Sequence, residues 1–271
     1  MAHGGTQEWN EGVLESVKPL REKYDIEVAF GMADATTMQA ALRKLEAKRV
    51  DRVAVVRLFI SGESWTERTE QIFGLRPGAP LAEATQDEPA SHESHDGHSM
   101  AFFRIPTTSS FALSTHGLAD APSMGVVLAD RAAALSKDPP HEDVVILAHG
   151  PGDEGENARW LEKLDQRAAA VRARAPFRRV HVETLREDWP DKRVLAEKRI
   201  RAFVERASAE GGKAIVIPFR VQGFGPYKEV LNGLDYVADG HGLVPHPEVT
   251  KWVDGQITAL TSTHFRTVRA D

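Results

Sequence analysis

The sequence predicts an α/β protein of two tandem domains, each a mainly parallel four-stranded sheet with helices on both faces. Three observations lead to this prediction. Apolar runs alternate with segments of helical periodicity along the 271 residues, which is typical of parallel sheets covered by helices. Short sequence blocks recur in the same order in both halves, as in an internal repeat. A Lys-Asp-Pro-Pro stretch at 137–140 separates the halves and predicts domains at 1–139 and 140–271.

Three blocks carry the repeat. Each pairs a segment of the first copy with one of the second: Met1–Gly4 with Leu147–Gly150, Ala54–Phe59 with Ala214–Phe219, and Thr115–Leu118 with Gly240–Leu243. The apolar run 144–148 has no counterpart before His3. We therefore expect that the first copy lacks its first strand and that the chain has been truncated or trimmed before Met1, a loss that could include an export signal.

Each copy alternates predicted strands and helices. In the second copy, 143–148 is apolar without alternation, as expected for a strand buried on both faces. The first copy is predicted to contain helix 10–22, strand 25–30, helix 36–48, strands 51–59 and 109–114, and helix 122–136. The second is predicted to contain strand 143–148, helix 153–174, strand 178–184, helix 192–209, strand 213–219, helix 226–232, strand 234–238 and helix 247–260.

The composition excludes several classes of partner. A net charge of −6 and a pI near 6.0 argue against nucleic acid. No apolar run approaches the roughly 20 residues of a membrane helix, and the chain has no Cys to bind metal as thiolate. Neither of the common glycine-rich phosphate-binding sequences occurs, so no nucleotide is expected.

The first copy carries an insertion predicted to lie within 70–108. From Phe59 to His116 is 57 residues, whereas the equivalent step from Phe219 to His241 is 22. The insertion is poor in apolar residues and is predicted to form a mobile loop. It contains His92, His95 and His98, spaced by two residues and interleaved with acidic residues. Such a run suits loose capture of Zn, Ni, Co or Cu, although a solvated loop with incidental histidines would read the same way.

Four other histidines follow predicted strands. Ligands of open parallel sheets bind at the carboxyl ends of strands, and His3 and His149 each fall at such an end before a Gly. A His there can ligate a metal or act as a base, or it can simply cap the next helix. His116 and His241, in matching Gly-Leu contexts, could reach the same edge or fix the entry to the last helix of each copy.

The sequence resembles the class II tetrapyrrole chelatases in three motifs. These are a His-Gly pair after a strand, a Pro-Phe strand followed by a Gly-containing loop, and a Gly-Leu-x-x-x-Pro entry to a helix. The similarity is greatest to the sirohydrochlorin cobalt, nickel and iron chelatases, and it spans nearly the whole chain as two copies. The resemblance implies a cytoplasmic lyase, of the cobaltochelatase type that serves cobalamin biosynthesis, that inserts a divalent metal into sirohydrochlorin without ATP. It implies that His3 and His149 handle the metal and accept a pyrrole proton.

Two departures from the family pattern leave alternatives open. The family usually has a second His after the third strand, and neither copy has it, although Glu63 could serve as ligand or base in the first. We expect the working site in the first copy, from His3, Glu63 and His116. The second copy offers His149, Glu187, His241 and His246 instead. The alternatives to an enzyme are a metal-binding or metal-delivery protein on the same fold, and a tetrapyrrole-binding protein without turnover.

Overall fold

The computed structural model describes residues 1–82 and 100–268. Within these residues the chain forms eight α-helices and seven β-strands, numbered in chain order. The helices are α1 (Gln7–Val17), α2 (Ala35–Ala47), α3 (Thr66–Ile72), α4 (Met124–Leu135), α5 (Glu154–Arg174), α6 (Pro190–Ala209), α7 (Tyr227–Val230) and α8 (Pro247–Thr261). The strands are β1 (Arg52–Val55), β2 (Ser110–Leu113), β3 (Glu142–Ala148), β4 (Arg179–Thr184), β5 (Lys213–Pro218), β6 (Tyr236–Val237) and β7 (Arg266–Thr267).

The chain folds into two compact units that do not follow the order of the sequence. Unit 1 comprises Met1–Leu118 together with Thr250–Asp271, and unit 2 comprises Ala119–Val249. The helix that ends the first sequence copy, α4, therefore belongs to unit 2. Most of α8, which ends the second copy, belongs to unit 1. The boundary at 139 divides the two sequence copies, whereas the compact units divide elsewhere.

Unit 2 contains a parallel four-stranded sheet in the order β4-β3-β5-β6. All seven residues of β3 are buried, because this strand is flanked by partners on both sides and covered on both faces. Val145 and Leu147 pack with Ile200 and Val204 of α6. The unpatterned apolar run of the sequence is thus the central strand of the sheet, and the fold-class prediction is confirmed.

Helix α4 packs closely against α5 within unit 2. A side chain at Gly125 would lie 2.9 Å from the Arg167 backbone oxygen and 3.1 Å from the Ala170 side chain, so the two helices approach at a residue without Cβ. The turn before α4 is held by an ion pair of 2.7 Å between Lys163 and Asp120. These contacts explain why the end of the first sequence copy belongs to the second unit.

Unit 1 has a shorter sheet in the order β1-β2-β7. β1 and β2 are parallel, and β7 adds an antiparallel edge that the sequence did not predict. Phe73 stacks on Phe111 at 4.2 Å between ring centroids, within a core that also includes Met38, Leu42 and Ile72. Helix α8 is fixed to this unit by Asp254, which accepts hydrogen bonds from Lys23 at 2.9 Å and from the Tyr24 hydroxyl at 2.7 Å.

The first strand of unit 1 is represented by Met1 and Ala2 alone. Ala2 forms single parallel bridges with Phe30 on one side and with Leu58 on the other. Met1 accepts a hydrogen bond from Leu58 N at 2.8 Å, as Leu147 accepts one from Phe219 N at 2.7 Å in unit 2. The two units therefore share the pairing around the first strand of each sheet.

Two predicted elements of unit 1 are shorter in the structure because a partner or a backbone donor is missing. The predicted helix 10–22 is α1 followed by a 3₁₀ turn at Lys18–Glu22, because Pro19 has no N–H to continue the α-helix. The predicted strand 25–30 forms only the bridge at Phe30. Helix α3 was missed. Among the described residues, no helix is both long and apolar enough to cross a membrane.

Candidate functional site

The structure places His149 at the carboxyl end of β3, the central strand of unit 2. Gly150 follows with φ of +78°, a left-handed conformation that glycine adopts without strain. A Cβ at this glycine would lie 2.5 Å from the Thr184 Cβ, so only glycine lets the chain pass the end of β4. Helix α5 then begins after Asp153, whose carboxylate accepts a hydrogen bond from Glu156 N at 2.8 Å.

The backbone fixes the tautomer of the His149 ring. Nδ1 lies 2.8 Å from the carbonyl oxygen of Gly150. A carbonyl oxygen only accepts hydrogen bonds, so Nδ1 carries the proton and donates it. In the neutral ring, Nε2 then presents its lone pair, which is the form that ligates a metal or accepts a proton. The side chain is about one-third exposed, at 33%, so this nitrogen is accessible.

Two carboxylates from the end of β4 face this lone pair. Nε2 lies 3.0 Å from Oδ2 of Asp188 and 3.9 Å from Oε2 of Glu187. Asp188 is exposed, whereas the Glu187 side chain is largely buried. With a neutral ring, Nε2 and the Asp188 carboxylate are both acceptors, so their approach is favourable only when a proton or another cation lies between them. The local chemistry therefore fits a cation at the edge of the sheet.

Arg220 occupies the position after β5, where the sequence analysis looked for a second His. Its guanidinium forms an ion pair with Glu187. Burial lowers the pKa of Arg220, but its interactions with Tyr227 and Glu187 outweigh burial, and the pKa is raised above its ordinary value. Arg220 therefore stays charged and neutralises one of the two carboxylates that face His149.

The loop that follows His149 is held in place by Arg186. The guanidinium of Arg186, 4% exposed as a residue, donates to the carbonyl oxygens of Pro151 and Gly152, the latter at 2.7 Å. It also bonds both oxygens of Glu154 at 3.1 Å. Hydrogen bonds from Arg186 and Lys192 lower the pKa of Glu154 to about 2. The His149 loop is thus positioned before any ligand arrives.

His3 repeats the local geometry of His149 in unit 1. Its Nδ1 lies 2.8 Å from the carbonyl oxygen of Gly4, whose φ is +82°. Asp34, the acidic residue that follows the neighbouring segment 25–30, does not face the ring as Asp188 does in unit 2. Asp34 is buried and accepts hydrogen bonds from Thr37 N at 2.8 Å and Ala101 N at 3.0 Å, so it caps α2.

The remaining candidate residues are dispersed. Glu63 and His116 are exposed, on loops whose backbones meet at Gly62 and Gly117. In unit 2, His241 is exposed, and the described residues include no hydrogen bond or ring contact between it and His149. His246 Nδ1 accepts from Glu248 N at 3.2 Å at the start of α8, the helix-entry role considered above. His92, His95 and His98 lie outside the described residues.

Across 1–82 and 100–268, no three His, Cys, Asp or Glu side chains are arranged to hold a metal ion. His149 and Asp188 supply two ligands, and Glu187 is engaged by Arg220. The site therefore offers an incomplete ligand set with open coordination positions.

Comparison with known proteins identifies the fold. No family model and no curated protein matches the chain. Among solved structures, SirB from Bacillus subtilis with Fe³⁺ is similar at 11% identity and a TM-score of 0.64, over 96% of this chain and 93% of that one. The sirohydrochlorin chelatase SirB from Bacillus subtilis subspecies spizizenii in complex with cobalt is similar at 10% identity and a TM-score of 0.57, over 96% and 92%.

The chain therefore has the class II chelatase fold, as the sequence resemblance predicted. Two residues of the site were missed by sequence reasoning. Asp188 and Arg220 are not among the candidate residues that the sequence indicated. The signal for Arg220 was present, since a charged residue directly after a buried strand at a ligand-binding sheet edge is itself unusual.

Proposed function

We propose that this protein binds a divalent cobalt, nickel or iron ion at the edge of unit 2 and inserts it into a sirohydrochlorin-type tetrapyrrole without a nucleotide. The observation that carries the proposal is the 3.0 Å distance between His149 Nε2 and Asp188 Oδ2. It stands on a fold whose solved examples were crystallised with Fe³⁺ and with cobalt. Imidazole and carboxylate ligands suit such ions.

An incomplete ligand set suits a metal that is substrate. A resident ion needs a closed set of ligands, whereas an ion that must leave needs open positions for its acceptor. Four pyrrole nitrogens take over the metal, and two N–H protons leave as it enters. In the proposed mechanism, His149 Nε2 and Asp188 hold the ion, and each becomes a proton acceptor once the ion has moved to the macrocycle.

Arg220 favours a second candidate function, tetrapyrrole binding without metal insertion. Its ion pair removes Glu187 from the ligand set and puts a fixed positive charge beside the incoming cation. That charge opposes tight metal binding, but it attracts the acidic side chains of a tetrapyrrole. The choice between the two functions therefore depends on whether turnover accompanies binding.

The test separates metal binding from insertion. Calorimetric titration with Co²⁺ under anaerobic conditions measures binding, and the absorbance change of sirohydrochlorin with Co²⁺ measures insertion above the spontaneous rate. His149→Ala and Asp188→Asn are expected to weaken Co²⁺ binding at least tenfold, as loss of a ligand does, and to abolish the accelerated rate. Binding that survives both substitutions would refute the proposed site.

The control is another His–Asp pair of this chain. His141 lies 2.8 Å from Asp138 at an exposed 3₁₀ turn, so it offers the same ligand types away from the sheet edge. His141→Ala is expected to leave both measurements unchanged. Binding of metal-free sirohydrochlorin by the unsubstituted protein, seen in its absorbance spectrum, without accelerated insertion would support the second candidate function.

A further inference from the structure

Unit 1 contains a cavity between two extended segments. It encloses about 410 Å³ between the segments 24–29 and 50–56 and is lined mainly by apolar side chains. Met38 and Leu42 of α2, Val13 of α1, and Val253 and Ile257 of α8 contribute to its walls. Protein interiors are close-packed, with few voids larger than one water molecule, so a cavity of this size beneath three helices calls for an occupant.

The backbone on both sides of the cavity lacks a partner strand. β1 forms its ladder with β2 on the far side, and among the described residues 25–29 belong to no ladder. The two sides are joined only at one end, where Ala2 bridges Phe30 and Leu58. Backbone N–H and C=O groups therefore line a buried slot, and an added β-strand would form hydrogen bonds with them.

Unit 2 shows what fills the equivalent place. The paired hydrogen bonds Leu58 N to Met1 O and Phe219 N to Leu147 O equate Met1 with Leu147. By the same register, the cavity corresponds to Glu142–Ile146 of β3, which pairs with β4 on one side and with β5 on the other. Every residue of that segment is buried.

We propose that the cavity is a strand-acceptor groove that takes an apolar β-strand of about five residues, parallel to both flanking segments and ending at Met1. The Met1 amino group lies at the end of the groove and donates to Val56 O at 2.7 Å. Burial, together with the charge of Arg57, lowers its pKa to about 5. The Met1 amino group is therefore uncharged at neutral pH. Like a backbone amide, it can lie next to the end of an apolar strand without burying a charge.

The groove itself dictates the composition of the strand. In β3, Asp143 is paired with Arg178 and Arg179, but the residues at the equivalent places in unit 1 are Tyr24 and Asp25. A buried acidic residue would meet no arginine at those two places. The predicted occupant is therefore uncharged and apolar on both faces, with β-branched residues favoured.

The experiment supplies the strand. A variant with Ser-Thr-Val-Val-Ile placed directly before Met1, after a start methionine, is compared with the 271-residue chain. We expect the thermal midpoint to rise by about 5 °C or more. Amide hydrogen exchange at Glu27, Ala29, Ala54 and Val56 is expected to slow at least tenfold, because alternate N–H groups of each segment face the added strand and gain partners. The control carries Ser-Pro-Val-Pro-Ile, which is similarly apolar but lacks two backbone donors.

Each outcome decides the matter. Slower exchange in both segments with the first extension, but not with the proline control, supports the groove. Unchanged exchange, or equal effects of both extensions, overturns it. Should the extended chain fail to fold, the same five residues are added as an acetylated and amidated peptide to the original chain, where absence of protection at saturation also overturns the proposal. Protection by a fatty acid but not by the peptide would reassign the cavity to a small apolar ligand.

Discussion

Replacing Gly150 by Ala tests the close approach that positions His149. At φ of +78° an Ala side chain is strained by about 1–2 kcal/mol. Its Cβ would also lie 2.5 Å from the Cβ of Thr184. Thr184 is buried at the end of β4 and its hydroxyl donates to Asn157 at 2.7 Å, so it has little freedom to move. Overpacking of this kind costs about 1–3 kcal/mol, and the total expected is about 2–5 kcal/mol.

Gly223 provides a matched control in the same unit. Its φ is +77°, but a Cβ there would meet nothing within 4 Å. Gly223→Ala is therefore expected to cost only the backbone strain of about 1–2 kcal/mol. The free energy of unfolding is measured for both variants by urea titration with linear extrapolation.

The difference in the free energy of unfolding between Gly150→Ala and Gly223→Ala measures the cost of crowding against Thr184. A difference below about 0.5 kcal/mol, smaller than any overpacking cost of this kind, would refute the argument that the chain passes β4 only through a glycine. Co²⁺ binding supplies a second measurement. Gly150 provides the carbonyl oxygen that fixes the His149 ring, so Gly150→Ala is expected to weaken binding while Gly223→Ala is not.

Two further predictions concern buried charges. Arg220→Ala releases Glu187 from its ion pair, so Co²⁺ affinity measured by calorimetry is expected to rise, and an unchanged affinity would exclude Glu187 from the ligand set. Burial alone raises the pKa of Asp143, but hydrogen bonds from Arg178 and Arg179 outweigh it and the pKa falls below 3.8. The stability that Asp143 contributes is therefore fully present above that value and is lost as the pH falls through the lowered folded pKa. Asp143→Asn is expected to cost about 3–5 kcal/mol at neutral pH and to flatten the acid limb of the stability curve, in urea titrations repeated from pH 2 to 7.

The sequence predicted the fold because its strongest signals are local. The unpatterned apolar run of β3 and the helical spacing in α5 are each readable from a few neighbouring residues, and the structure has elements there. The two-residue β7 and the seven-residue α3 were missed, since elements so short have too little periodicity to detect. The failure of 25–29 to join a ladder depends on a partner strand, which no local pattern reveals.

The candidate site was less predictable because it is assembled by charge pairing across strands. His149 was found from its position after β3, but the analysis favoured the first copy. Asp34 there is committed to capping α2, whereas Asp188 in the second copy faces His149. Which of two acidic residues caps a helix and which faces a ring depends on side-chain direction, and spacing alone does not encode it.

The division of the chain between the two units sets an order of events during synthesis. Unit 2 is continuous, so all its residues have left the ribosome once Val249 has emerged. Unit 1 begins first but needs most of α8 and all of β7, which follow unit 2 in the chain. Domains generally complete in the order in which they are translated. Unit 1 therefore cannot cover the apolar surface that packs against α8 until residues that follow unit 2 have been made.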